Sequence, residues 1–239
     1  NDTLDYSYYD QAVTVNLADG IAPGINDGEE TGISSIENIT GSAFDDTLIG
    51  DDGSNIIKGG SGDDTIDGRA GDDILEGGDG NDDLQGGSGN DIYRFANNWG
   101  RDTVSDDTGD MDALDFSAAS ADLEIDLAAA QVTADLNMLS YSGIEKIIAG
   151  AGNDKFYIVG SQSMDIYSGP GDDCFIFSSD GSLMGIIDGE SGHDTLDYSA
   201  SNSGRRIILT GIGLQDGFNG EEIDSISAGF ANMEGFIGG

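Results

Sequence analysis

The chain has 239 residues and a formal net charge of −39, from 47 acidic residues against 8 lysines and arginines. That balance repels phosphate and excludes nucleic acid as a partner. An acidic chain with few aromatics cannot offset its own repulsion and ordering entropy by burial alone, so something must neutralise it before it folds. The single cysteine, Cys174, excludes an internal disulfide framework, and no apolar run reaches the length of a membrane span.

Asn1-Asp2-Thr3-Leu4-Asp5 opens the chain as the last five positions of a nine-residue line, and Ile237-Gly238-Gly239 stops where another glycine-rich block would begin. With no signal peptide in view, the expectation is a processed piece of something longer. Asp2-Thr3-Leu4-Asp5-Tyr6-Ser7 recurs as Asp112-Ala113-Leu114-Asp115-Phe116-Ser117 and as Asp194-Thr195-Leu196-Asp197-Tyr198-Ser199. Each copy leads to an alternating strand ending at Leu17, Leu127 or Leu209. A third shared piece follows: Ile36-Glu37-Asn38-Ile39, Ile144-Glu145-Lys146-Ile147 and Met233-Glu234-Gly235-Phe236. The chain therefore reads as three copies of one module, 1–110, 111–192 and a truncated 193–239, in a single solenoid whose coils touch only their neighbours. The acid- and glycine-rich stretches Asp19 to Ser35 and Gly211 to Gly229 read as surface excursions from that stack.

Gly41 to Arg94 divides into six nine-residue lines without a gap: GSAFDDTLI, GDDGSNIIK, GGSGDDTID, GRAGDDILE, GGDGNDDLQ and GGSGNDIYR. Glycines at positions 1, 2 and 4 permit tight turns at positive φ and bring carbonyls together. Position 6 is Asp46, Asn55, Asp64, Asp73, Asp82 and Asp91, and position 8 is Leu48, Ile57, Ile66, Leu75, Leu84 and Tyr93. Positions 7 to 9 predict a three-residue strand with its middle side chain pointing inward. Two lines then make one eighteen-residue coil, so that Asp46, Asp64 and Asp82 form one ladder and Asn55, Asp73 and Asp91 a second. Carboxylate and carbonyl oxygens without nitrogen or sulfur are what Ca²⁺ selects, with an ion expected between stacked turns.

The lines fit G-G-x-G-x-D-x-U-x, and on Gly59 to Asp67 and Gly77 to Arg94 the chain resembles the haemolysin-type calcium-binding repeats of bacterial RTX proteins. The first line lacks the glycines of positions 2 and 4, and the second has Asn55 for Asp. The resemblance implies an all-β, right-handed parallel β-roll in which carbonyls of positions 2 and 4, here Gly60 and Gly62, then Gly78 and Gly80, complete the calcium sites. It also implies export by a type I secretion system.

Beyond the block the pattern persists in worn form around Asp102, Asp154, Asp173 and Asp194, which join the expected calcium ligands. The stretches Gln162 to Tyr167 and Ser179 to Ile187 have lost it, so the opposite edge is expected to carry few or no ions there. Phe156, Phe175 and Phe177 imply a wider apolar interior. Ala128 to Met138 is expected to form a short helix on propensity.

Paired acids such as Asp45-Asp46, Asp63-Asp64, Asp72-Asp73 and Asp172-Asp173 are not read as a glycosidase pair, because catalysis needs one unique pair across a sugar and each of these occupies positions 5 and 6 of a single turn. His193 sits at position 5 with no H-E-x-x-H or G-x-S-x-G nearby and reads as a turn residue. Trp99 is expected to pack at the end of the first roll rather than stack on a sugar, Cys174 to be a small buried hydrophobe, and Arg205-Arg206 to be a local counter-charge. No catalytic role is expected.

The function implied is a calcium-binding structural segment of a secreted RTX protein. It would be unfolded at cytosolic calcium and folded outside the cell, as an extender or assembly module of an adhesin, surface layer or matrix fibre. Its partners would be calcium, the type I secretion machinery, and either its own copies or cell-surface or matrix components. The alternative is the non-catalytic, C-terminal calcium-binding and secretion domain of a secreted enzyme such as a metalloprotease, lipase or alginate epimerase.

Overall fold

The computed structural model describes residues 2–23, 29–31, 33–106, 111–202, 207–214, 217–222 and 225–238; Arg205 and Arg206 lie outside them. Among the described residues there are 28 strands and no helix, and so none that could cross a membrane. In chain order they begin β1 (Thr3–Asp5), β2 (Thr14–Asn16), β3 (Ile21–Pro23), β4 (Glu29–Thr31), β5 (Asn38–Thr40) and β6 (Thr47–Ile49). The nonapeptide block continues with β7 (Ile56–Ser61), β8 (Thr65–Ala70), β9 (Ile74–Asp79), β10 (Asp83–Ser88) and β11 (Ile92–Arg94), and β12 (Arg101–Ser105) follows. By Cα proximity the chain forms two compact units, one of Asn1–Leu114 with Asn137–Ile144 and one of Asp115–Leu136 with Glu145–Gly239.

In the first unit successive strands go alternately to two parallel ladders, β1-β5-β7-β9-β11 and β2-β6-β8-β10-β12. This is a parallel β-roll. Its register is one coil, pairing Leu48 with Ile66, Ile57 with Leu75 and Ile66 with Leu84. The alternation of strand side chains places position 8 inside: Leu48, Ile57, Leu75, Leu84 and Tyr93 are 0% exposed. Strands β7 to β10 run six residues rather than the expected three. The glycine segments stay extended and pair as well, Gly60 with Gly78 and Gly87 with Arg69. Phe95 and Trp99, both buried, pack edge to face at 6.1 Å, which is the packing role expected of Trp99.

The remaining strands are β13 (Ala113–Asp115), β14 (Glu124–Asp126), β15 (Gln131–Ala134), β16 (Asn137–Ser142), β17 (Lys146–Ile148), β18 (Lys155–Ile158), β19 (Ser161–Ser163) and β20 (Asp165–Tyr167). Then come β21 (Cys174–Phe177), β22 (Ser182–Met184), β23 (Ile187–Asp188), β24 (Thr195–Asp197), β25 (Ile207–Ile212), β26 (Phe218–Glu222), β27 (Phe230–Met233) and β28 (Gly235–Ile237). Within the second unit β14-β18-β21-β24-β28 and β17-β20-β23-β27 are again parallel ladders, and β19 pairs with β22 beside them. Aromatic layers fill this interior: Phe156 stacks on Phe175 at 4.8 Å and Phe177 on Tyr198 at 4.6 Å.

Three expectations change. The helix over Ala128 to Met138 is absent: Asp126 accepts the amides of Ala128 and Ala129 at 3.0 and 2.9 Å, Ala130 takes φ 51°, and β15 returns antiparallel on β14. β-Branched Val132 and Thr133 favour that strand over a helix. The excursions carry antiparallel strands: β3 and β4 add to β2 in the first unit, and β26 lies between β25 and β27 in the second. Cys174 is half-buried on the outer side of β21, since the inner side is held by Phe175 and Phe177.

Candidate metal centre

Each turn of the roll ends in a position-6 side chain folded beneath it, and all are buried: Asp46, Asn55, Asp64, Asp73, Asp82 and Asp91 are at most 2% exposed. From Asp64 onward, one carboxylate oxygen of each aspartate reaches one coil back. Asp64 accepts the Asp46 amide at 2.8 Å, Asp82 that of Asp64 at 2.9 Å and Asp102 that of Asp82 at 2.9 Å. On the other edge Asp73 accepts from Asn55 at 2.7 Å and Asp91 from Asp73 at 2.7 Å. The second unit repeats the arrangement through Asp154, Asp173 and Asp194, at 2.7, 2.8 and 2.9 Å from the amides of Leu123, Asp154 and Asp173. The position-5 side chains, exposed at the turn tips, run the other way: Asp45 accepts the Asp63 amide, Asp63 that of Asn81 and Asp72 that of Asn90. His193 belongs to this outer row and donates its amide to Asp172 at 3.0 Å, as a turn residue should.

The second carboxylate oxygen carries the argument. Oδ2 of Asp64, Asp73, Asp82, Asp102, Asp154 and Asp173 is buried and has no hydrogen-bond partner. A charged oxygen left so in a protein interior costs several kcal/mol unless a cation meets it. Burial is accordingly the main cause that lifts Asp64, Asp73 and Asp154 to about 7, Asp82 and Asp173 to about 6, and Asp102 to about 8, opposed by backbone amide hydrogen bonds and, for Asp173, first by the Ser168 side chain.

Around these oxygens the turns stack without room for side chains. A Cβ on Gly59 would overlap Asp64 Oδ2 and crowd the Gly77 carbonyl, and one on Gly68 would overlap Asp73 Oδ2. A Cβ on Gly60 would strike the Ser42 carbonyl, one on Gly78 that of Gly60, and one on Gly80 that of Gly62. The glycines thus leave columns of carbonyl oxygens beside unmet carboxylates. This all-oxygen cradle fits a hard cation, and it fits Ca²⁺ better than a transition metal.

Some of the site lay outside the sequence expectation. Asp112 extends the second ladder, its carboxylate accepting the Asp91 amide at 2.8 Å, and with Asp91 and Asp106 it brings three carboxylates within 4.8 Å of one another. Its place in the module, matching Asp194, was the available signal. Glu234 takes the aspartate's part at the last turn, accepting the Asp194 amide at 2.7 Å, and Glu37 does the same for Asp2 at 2.7 Å. No nonapeptide spacing marks either glutamate.

The geometry defines a class first: a parallel roll whose turns present oxygen ligands to a hard cation. A comparison agrees with this: the profile of the RTX calcium-binding nonapeptide repeat (4 copies) matches residues 31–66, 58–93 and 140–157. The chain carries RTX repeats, which bind Ca²⁺, are a non-catalytic structural motif, and are typical of secreted bacterial proteins. No curated protein matches the chain.

Proposed function

We propose that the chain is a non-enzymatic, calcium-folded structural segment of a secreted protein, serving as an extender or assembly module of an adhesin, surface layer or extracellular matrix fibre. The unmet buried Oδ2 atoms in an all-oxygen cradle are the observation that carries this reading. Asp64, Asp73 and Asp82, with the carbonyls of Gly60, Gly62, Gly78 and Gly80, would hold calcium in the first roll, and Asp91 and Asp102 extend its two ladders. Asp154, Asp173 and Asp194 would do so in the second unit. Bound calcium supplies positive charge between turns; the chain's own residues supply the backbone ladders and the buried apolar column. Sub-micromolar cytosolic calcium leaves the carboxylates repelling one another and the chain open for export, whereas millimolar external calcium folds it.

The choice of extender over the calcium domain of a secreted enzyme is supported by module repetition in three dimensions. Glu37 and Glu234 hold the amides of Asp2 and Asp194 at the same 2.7 Å, and Val13 and Leu123 both donate at 2.7 Å to the first aspartate of the following roll, Asp46 or Asp154.

The test is a calcium titration of metal-free protein followed by far-ultraviolet circular dichroism, with Mg²⁺ as control. A cooperative gain of β signal with calcium alone, at sub-millimolar to millimolar levels, is expected. A metal-free chain already folded and indifferent to calcium would remove the export-switch account.

A further inference from the structure

The six turns of the nonapeptide block fall into two kinds according to the backbone at position 2. In the later four, Gly60, Arg69, Gly78 and Gly87 take φ of 120°, 78°, 111° and 104°. Asp64, Asp73 and Asp82 of those turns keep a buried Oδ2 with no donor. In the first two turns position 2 is Ser42 and Asp51, neither at positive φ, and the amide swings onto the position-6 side chain of its own turn. Ser42 N donates to Asp46 Oδ2 at 2.5 Å and Asp51 N to Asn55 Oδ1 at 2.8 Å.

The remaining capacity of these two side chains is also taken. Asp46 Oδ1 accepts the Ser42 hydroxyl at 2.9 Å and the Val13 amide at 2.7 Å. Asn55 Nδ2 donates to the Glu37 carbonyl at 2.9 Å and the Asp51 carboxylate at 3.3 Å. An N–H group between a carbonyl and a carboxylate fills the electrostatic part that a cation plays in the later turns.

We infer that the calcium array has a built boundary: the coil from Gly41 to Lys58 closes without metal through Ser42 and Asn55, Asp46 and Asn55 are not ligands, and ion binding begins at the turns of Asp64 and Asp73. A carboxylate already holding three protein donors has little to gain from an ion, while an orphaned buried oxygen has most to gain. The departures from the repeat in the first two lines thus have one joint effect. Ser42 in place of glycine keeps the amide turned inward, and Asn55 in place of aspartate removes the charge an ion would neutralise. In a stack where each coil rests on its neighbour, a metal-free coil is a fixed edge on which calcium-bound coils are laid.

This rests on the calcium reading of the repeats, and the experiment separates the two. Calcium alone is titrated calorimetrically into the full chain and into Asp46→Asn, Asp64→Asn and the double variant Ser42→Gly/Asn55→Asp. Asp46→Asn keeps one side-chain acceptor, for the Ser42 amide, and its NH2 group can donate to the Ser42 hydroxyl oxygen; it is expected to bind as many ions as the parent. Asp64→Asn is expected to bind fewer ions, with the midpoint raised about tenfold or more. The double variant is expected to bind more ions than the parent. Loss of an ion in Asp46→Asn, or no gain in the double variant, would overturn the boundary; absence of calcium binding by the parent would remove the calcium reading itself and the boundary with it.

Discussion

At the scale of single residues, position 2 of the turn is where backbone and side chain compete. Gly78 has φ 111° and faces the Gly60 carbonyl, so Gly78→Ala adds both a backbone penalty and an overlap. It should cost about 2 kcal/mol or more, read as a rise in the calcium concentration at half-folding. Arg69 tests the opposite sign. It holds φ 78° with a side chain, and Arg69→Gly should stabilise the fold by about 1 kcal/mol, lowering the same midpoint. Equal shifts in one direction for both variants would contradict the backbone account. The carboxylate ladders were legible from the sequence because a strict period fixes which residues meet. Asp112 and Glu234 were not, because the geometry that recruits them is set by the module and its strand pairing rather than by the nine-residue spacing.

Among the elements, the second unit replaces an aliphatic column with stacked rings. Phe175 is fully buried and lies at 4.8 Å and 10° to Phe156, so Phe175→Ala leaves a cavity that adjacent strands, fixed by their ladders, cannot close. A loss of about 3–5 kcal/mol is expected in saturating calcium, measured by denaturant unfolding. Strand periodicity foretold which side chains of β21 point in, but Cys174 was misjudged from its apolar company. Alternation along a strand, not local hydropathy, decides exposure. The hairpin over Gln131–Ala134 was missed for the converse reason. The alanines of Ala128 to Ala130 suggested a helix, while the turn is made by Asp126 and the parallel neighbour β18 holds β14 in the sheet.

For the whole molecule, charge and pH act through one set of buried acids. Asp64, Asp73, Asp82, Asp102, Asp154 and Asp173 are raised to about 6 to 8 in the fold, against about 4 in the unfolded chain. Because the folded values are the higher ones, the contribution of these groups to metal-free stability is fully present below about pH 4 and is lost as pH rises through 6 to 8. Calcium must displace those protons, so the opposite trend holds for binding: the calcium needed for half-folding should rise as pH falls from about 8 toward 6. Circular dichroism titrations at several pH values check both, the chelated protein gaining β signal toward acid and the calcium midpoint moving upward. A calcium midpoint independent of pH over that range would mean the carboxylates are already ionised, and the orphaned oxygens would need another partner.

The two rows of turn hydrogen bonds, position 6 reaching back and position 5 reaching forward, have a consequence for how such a chain changes length. Adjacent coils are joined by a reciprocal pair, as when Asp46 donates to Asp64 while Asp63 donates to Asp45, each across 18 residues. An insertion or deletion of one whole coil leaves every remaining pair matched. A change of a single line moves everything beyond it to the opposite edge, whereas a few extra residues are absorbed within a coil, since the reciprocal pair persists across 19 residues between the turns of Asp154 and Asp173 and across 21 between those of Asp173 and Asp194. The roll is therefore a ruler graduated in coils, free to lengthen or shorten by duplication, with each graduation set by the joint between turns and not by a fixed residue count.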